Sequence, residues 1–163
     1  MEQGALPTVL QAVADLKLLY PTARVKTTGH SLGAALATLT AMDLAKLYPD
    51  VQVYNFGSPR VGDKTFSPFA GTVMTDFWRV THYKDCVPHL PEQTLGFRHV
   101  CTEEYEDAFG NIHSCNSTCE DPTCADQWAT WQYRVADHLI YLGVCEGGTG
   151  CPVQCVLNED FTI

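Results

Sequence analysis

Three observations predict an α/β protein with a mainly parallel sheet. Short apolar and β-branched runs alternate with segments of helical periodicity, the pattern of successive βαβ units. The intervening segments are long enough for right-handed crossovers, which join neighbouring parallel strands. A serine flanked by two glycines, GHSLG at 29–33, stands where an extended run meets a helical one. At 163 residues the chain has the length of a single domain with a real core.

Residues 6–20, LPTVLQAVADLKLLY, place Leu6, Val9, Leu10, Val13, Leu16 and Tyr20 at helical spacing. Asp15 and Lys17 interrupt the segment, so it reads as an amphipathic domain helix rather than an apolar signal core. Pro21 ends it, and ARVKTTG (23–29) predicts a first strand. A second helix runs from Leu32 to Leu47, stopped by Pro49. VQVYNFG (51–57) predicts a second strand, closed by the turn-rich GSPRVGD. TFSPFAGTVM is a weaker helical or irregular piece, and FWRVTHY (77–83) a third strand. Two prolines in KDCVPHLP then end regular structure. Residues 101–127 form a polar, cysteine-studded excursion, WQYRVADHLIYLG (131–143) returns to a helical pattern, and 146–163 form a cysteine-bearing tail.

The net charge of −9 and the lack of a basic stripe argue against a nucleic-acid partner. No apolar run reaches the roughly 18 residues that a membrane span needs. All eight cysteines follow residue 85, at 86, 101, 115, 119, 124, 145, 151 and 155. An even count in loop-like surroundings favours disulfides and a secreted, extracellular protein. A zinc site built from His113, Cys115, Cys119 and Cys124 competes, although the spacing lacks paired CxxC units. Connectivity does not follow from sequence. Asn116-Ser117-Thr118 is an N-glycosylation sequon, in keeping with a surface loop.

Ser31 has two readings: a nucleophile on a tight strand-to-helix turn, or an ordinary helix N-cap. The glycines favour the first, because such a turn forces backbone against backbone and side chains at Gly29 and Gly33 would clash. The turn also aims the Leu32 N–H, at a helix N-terminus, toward an oxygen that becomes negative during attack. In this architecture an acid and then a histidine follow the serine. Asp85 directly follows the third strand; Asp63, in a turn, and Asp76, before a strand, are its rivals. Of six histidines, His30 lies within the turn, His82 in a strand and His89 in the proline-flanked loop, while His99 and His113 border the excursion. His138, in VADHLIYLG, comes last.

GHSLGAALATL, YNFGSPRVGD, FWRVTHYKDCVPHLP, GFRHVCTEEY and VADHLIYLG together resemble the fungal-type class 3 lipase family, in that family's order and over most of residues 25–145. The resemblance implies an α/β-hydrolase fold and hydrolysis of acylglycerol esters, with feruloyl esterases as close relatives. Its nucleophile falls on Ser31, its acid on Asp85 and its base on His138, with Leu32 N–H as one oxyanion donor. It implies a lipid or other ester substrate, contact with a lipid interface, no cofactor and no metal. Residues 1–145 would be the C-terminal portion of the catalytic domain. The family's N-terminal half is not matched, and with it go further strands, a lid helix and a second oxyanion contact. Loss of those strands would leave an apolar sheet edge exposed, and Cys145 without a nearby partner. A feruloyl or other carboxylesterase, or a noncatalytic secreted remnant, are the alternative functions. Trp128 and Trp131 precede the base and either line an acyl groove or pack into the core.

Overall fold

The computed structural model of the chain describes residues 4–116 and 118–146. Helix α1 (Ala5–Leu19) is followed by β1 (Lys26–His30), α2 (Leu32–Ala45), β2 (Gln52–Phe56), β3 (Gly62–Asp63), α3 (Phe66–Val73) and β4 (Asp76–His82). Then come β5 (Phe97–Arg98), β6 (Glu103–Glu106), β7 (Ile112–Ser114), the single turn α4 (Val135–His138), β8 (Ile140–Tyr141) and β9 (Val144–Cys145). The main sheet has the order β1-β2-β4-β6-β7. Its first four strands are parallel, and β7 returns antiparallel to β6.

The helix α2 presents Ala34, Ala37, Ala41 and Leu44 to the sheet at helical spacing. The small side chains let helix and sheet approach closely, while Leu44, 1% exposed, contributes about 1.5–3 kcal/mol of burial energy. Val53 of β2, Ala70 of α3, Met74 at the end of α3 and Phe77 of β4 complete this layer. One polar link crosses it: the Asn55 amide donates to Thr38 Oγ1 at 2.8 Å. Asp63 accepts the Thr65 and Phe66 amides at the start of α3. Asp76 is the first residue of β4, where Gln52 and Trp78 donate to its carboxylate.

Part of the polar excursion folds as sheet. β6 carries two glutamates, Glu103 and Glu106, that are buried because they are paired. Glu103 takes Arg79 Nη2 at 3.0 Å and the Thr81 hydroxyl at 2.6 Å, across the β4–β6 ladder. Glu106 accepts the Leu142 amide at 2.8 Å. Disulfides Cys101–Cys119 and Cys115–Cys124 staple the segment that follows. Three thiols of the competing zinc set are therefore consumed in covalent bonds, and the metal reading fails on that ground. Cys145 is likewise disulfide-bonded, so it does not lack a partner. Ser117 of the sequon, Cys151 and Cys155 lie outside the described residues.

The helix expected over 131–143 shortens to α4. Tyr133 and Arg134 are extended, with ψ of 146° and 129°, and Arg134 N–H donates to Lys84 O at 2.8 Å. That bond draws the chain onto the loop after β4 and costs the helix its first turns. The residues after His138 fold back as the β8–β9 hairpin. Trp131 is 85% exposed, contrary to a packing role, whereas Trp128 is half-buried and donates to the Tyr105 hydroxyl. The edge strand β1 reads KTTGH, so the exposed edge is polar rather than apolar.

Candidate active site

Four segments converge at the carboxyl ends of the parallel strands, where open α/β sheets gather their ligand sites. These are the turn after β1, the end of β2, the loop after β4, and α4 with the hairpin behind it. Ser31 joins β1 to α2 with φ 57° and ψ −129°, a left-handed conformation rare for a residue with a side chain. It occupies the cap position, yet its side chain makes no cap hydrogen bond. The N-cap reading therefore loses its physical basis, and the hydroxyl is held on a strained turn. A Cβ at Gly29 would lie 2.3 Å from the Gly33 carbonyl oxygen, so only glycine fits there. At Gly33 a Cβ would meet nothing within 4 Å. The clash expected at both glycines exists at one. Leu32 opens α2, and its N–H is among the first-turn donors that a helix leaves unpaired.

Asp85 is 2% exposed and fully engaged. Its Oδ1 accepts the Val87 amide at 2.8 Å, and its Oδ2 accepts His138 Nδ1 at 2.8 Å. That bond puts the neutral imidazole's proton on Nδ1 and leaves Nε2 as the basic nitrogen. Asp85 and His138, 53 residues apart in sequence, are thus brought together, and an isolated bridge between Asp85 and Arg134 fixes the two loops side by side. His138 itself is buried at 8% exposure. Its ring stacks on His30, the neighbour of Ser31, with centroids 4.4 Å apart.

The site contains residues that the sequence reading did not single out. The Tyr141 hydroxyl donates to Asp85 Oδ2. Burial, and then the Asp85 carboxylate beside it, push the Tyr141 phenol well above its ordinary range, so it stays a donor. Gly57, with φ 55°, ends β2 where a Cβ would meet Tyr141, Asp85 and His138 at 2.8–3.0 Å. The only visible signals were Tyr141 three residues beyond His138 and a glycine closing the second strand. Cys86, adjacent to the acid, is a free thiol, raised above the ordinary range by burial and by Asp85. His89 instead faces Asp126, with Nδ1 3.3 Å from its carboxylate, and stacks on Tyr133. His99 is buried and donates to or accepts from no site residue; its Nε2 meets Pro88 O at 2.6 Å. His113 pairs with Asp107 on the far edge of the sheet.

Several lipases are similar to this chain in sequence or in structure. A lipase from Rhizopus niveus is 35% identical over 134 residues, covering 78% of this chain and 34% of its own length. A secreted mono- and diacylglycerol lipase from Fusarium solani is 42% identical over 96 residues, which are 59% of this chain and 29% of that protein. The crystal structure of a lipase from Rhizopus microsporus var. chinensis superposes with a TM-score of 0.81 at 32% identity, over 88% of this chain and 52% of the other. A solved triacylglycerol lipase whose catalytic centre is a serine protease triad gives 0.82 at 31% identity, over 88% of this chain and 56% of the other. This chain thus spans about a third of the length of the curated relatives and about half that of the solved structures. The model of the class 3 lipases matches residues 3–95, which include Ser31 and Asp85. With that match over more than half its length and the α/β-hydrolase architecture around it, the chain belongs to the class 3 lipase family.

Proposed function

We propose that this protein is a serine carboxylester hydrolase of lipase type, with Ser31 as nucleophile, His138 as base and Asp85 as the acid that orients it. The observation that carries the reading is the pairing of His138 Nδ1 with Asp85 Oδ2, with the His138 ring stacked on His30, the residue before a serine at φ 57°. In the reaction, His138 Nε2 takes the Ser31 proton as Oγ attacks the ester carbonyl. Asp85 stabilises the imidazolium, and the Leu32 N–H donates to the oxyanion. Collapse of the tetrahedral adduct expels the alcohol, which takes the proton from His138. Water, deprotonated by the same nitrogen, then attacks the acyl-enzyme, releases the carboxylic acid and restores Ser31.

An acylglycerol is the substrate class we assign. Related proteins are named for triacylglycerols and for mono- and diacylglycerols, and Leu32 and Leu36 beside the serine are exposed and apolar, suited to an acyl chain or a lipid interface. The disulfides and a secreted relative support an extracellular location. Among the described residues no helix is long and apolar enough to cross a membrane.

The test is covalent labelling with a fluorophosphonate, read by mass spectrometry, alongside hydrolysis of a short-chain p-nitrophenyl ester. Labelling on Ser31, abolished in Ser31→Ala with an unchanged circular dichroism spectrum, is the expected result. Labelling elsewhere, or undiminished hydrolysis by Ser31→Ala, overturns the assignment.

A further inference from the structure

Two histidines that the reaction above does not use, His30 and His82, are the last residues of β1 and β4. His30 precedes the proposed nucleophile, and His82 stands three residues before the proposed acid. Each brings one ring nitrogen within 2.8 Å of a backbone carbonyl of α4, His30 Nε2 to His138 O and His82 Nδ1 to Asp137 O. A carbonyl oxygen only accepts, so those two nitrogens carry the protons. A single helical turn cannot hold its shape in water, and its last carbonyls have no partner further along the helix. The two imidazoles supply the missing donors on consecutive residues. Tyr141 sets its ring against both of them, at 5.6 Å from His30 and 5.7 Å from His82.

We infer that His30 and His82 are positioning residues that clamp the base-bearing turn, one tying it to the nucleophile strand and the other to the acid strand. The inference rests on the Ser31–Asp85–His138 reading. The Asp85 contact fixes the His138 ring, but a ring is only as well placed as the backbone that carries it. The Arg134 N–H bond to Lys84 O holds only the start of α4, so without the clamp its last two carbonyls lose their donors, and a displacement of about 1 Å at a reacting group can cost roughly 100-fold in rate. Imidazole suits the task because two different nitrogens are needed, Nε2 at one position and Nδ1 at the other. Glutamine places its amide nitrogen near the Nε2 site and asparagine near the Nδ1 site, so each histidine has one matching replacement and one mismatched.

Two measurements on the full chain test this. Nitrogen-15 spectra of the neutral histidine rings should show the Nε2–H tautomer at His30 and the Nδ1–H tautomer at His82, and the opposite tautomer at either overturns the clamp. In fluorophosphonate labelling, His30→Leu and His82→Leu should be slowed roughly 10- to 100-fold, with His30→Gln and His82→Asn restored to within about threefold of the parent. The crossed variants His30→Asn and His82→Gln should behave like the leucine variants. Leucine variants as fast as the parent, or matched amides no better than crossed ones in folded protein, refute the proposal. Should a leucine variant fail to fold, the tautomers and the matched-against-crossed comparison still decide. Labelling that persists in Ser31→Ala would sink the active-site reading alone, since the tautomers are measured without any reaction.

Discussion

The Tyr141 hydroxyl and His138 Nδ1 donate to the same oxygen, Oδ2 of Asp85, at 2.5 and 2.8 Å. Oδ1 is occupied by the Val87 amide, so three donors satisfy a carboxylate that is almost wholly buried. A buried charge is tolerable only when it is hydrogen-bonded in this way. Tyr141 therefore stabilises the acid in the form that the His138 pairing requires.

Tyr141→Phe removes one donor and leaves the ring. We expect a loss of about 1–2 kcal/mol in stability, the usual cost of an under-satisfied buried polar group. Serine labelling should slow roughly tenfold, as the His138–Asp85 geometry loosens. Urea denaturation and labelling kinetics on the same preparation check both. Unchanged labelling with reduced stability would leave the Tyr141 hydroxyl a stabilising donor with no part in placing His138.

The two glycines of GHSLG make a sharper pair. Gly29→Ala drives a methyl to 2.3 Å from Gly33 O, a backbone atom that cannot swing aside. We expect it to cost about 3 kcal/mol or more, in the range of severe overpacking. Gly33→Ala meets open space within α2 and replaces the poorer helix former, so it should gain up to about 1 kcal/mol. Thermal melts of the two variants decide, and equal destabilisation would return both glycines to the same role.

Much of this fold was legible because it rests on apolar periodicity. The strands ending at Phe56 and His82, and the helix packing Ala34, Ala37 and Ala41, bury apolar side chains that the sequence displays. β6 was hidden because its glutamates look like solvent-facing charge. They are buried by partners, Arg79, Thr81 and the Leu142 amide, that are distant in sequence and come close only after folding. The helix through 131–143 was misread for a related reason. Its apolar spacing is helical, but the Arg134 amide is claimed by Lys84 O, a tertiary bond that overrides local preference. Ser31, Asp85 and His138 were proposed from motif, order and family resemblance, and the labelling experiment tests them. Tyr141, Gly57, His30 and His82 were not legible, since a residue that supports another leaves no pattern in the chain.

Backbone strain at Ser31 gives a third prediction. At φ 57° and ψ −129° a residue with a Cβ pays about 1–3 kcal/mol relative to an unstrained conformation, and glycine escapes most of that. Ser31→Gly should therefore be more stable than Ser31→Ala by about 1 kcal/mol, although both lack the hydroxyl. The comparison needs only equilibrium unfolding of two unreactive proteins. If alanine is the more stable of the two, the turn is not strained and the elbow holds the serine by other means.

The disulfide loop supplies a prediction about pH. Asp121 closes the segment between Cys115 and Cys124 by accepting the amides of Asn116 at 2.7 Å and Thr123 at 2.8 Å, together with the Thr123 hydroxyl. These donors, the Asn116 amide foremost, hold its carboxyl below the ordinary carboxylate range. A group whose folded value is depressed adds stability above its unfolded value, about 3.9 for aspartate, and loses it as pH falls toward the folded one. The parent should therefore lose melting temperature more steeply than Asp121→Asn below about pH 4, and the two should run parallel above about pH 5. Asp63, Asp76, Asp107 and Asp126 have depressed values of the same sign and remain in both proteins, so the difference between the curves belongs to Asp121. Melting curves from pH 2 to 6 measure it. Parallel curves throughout would mean that the disulfide alone holds the loop and the carboxylate adds nothing to it.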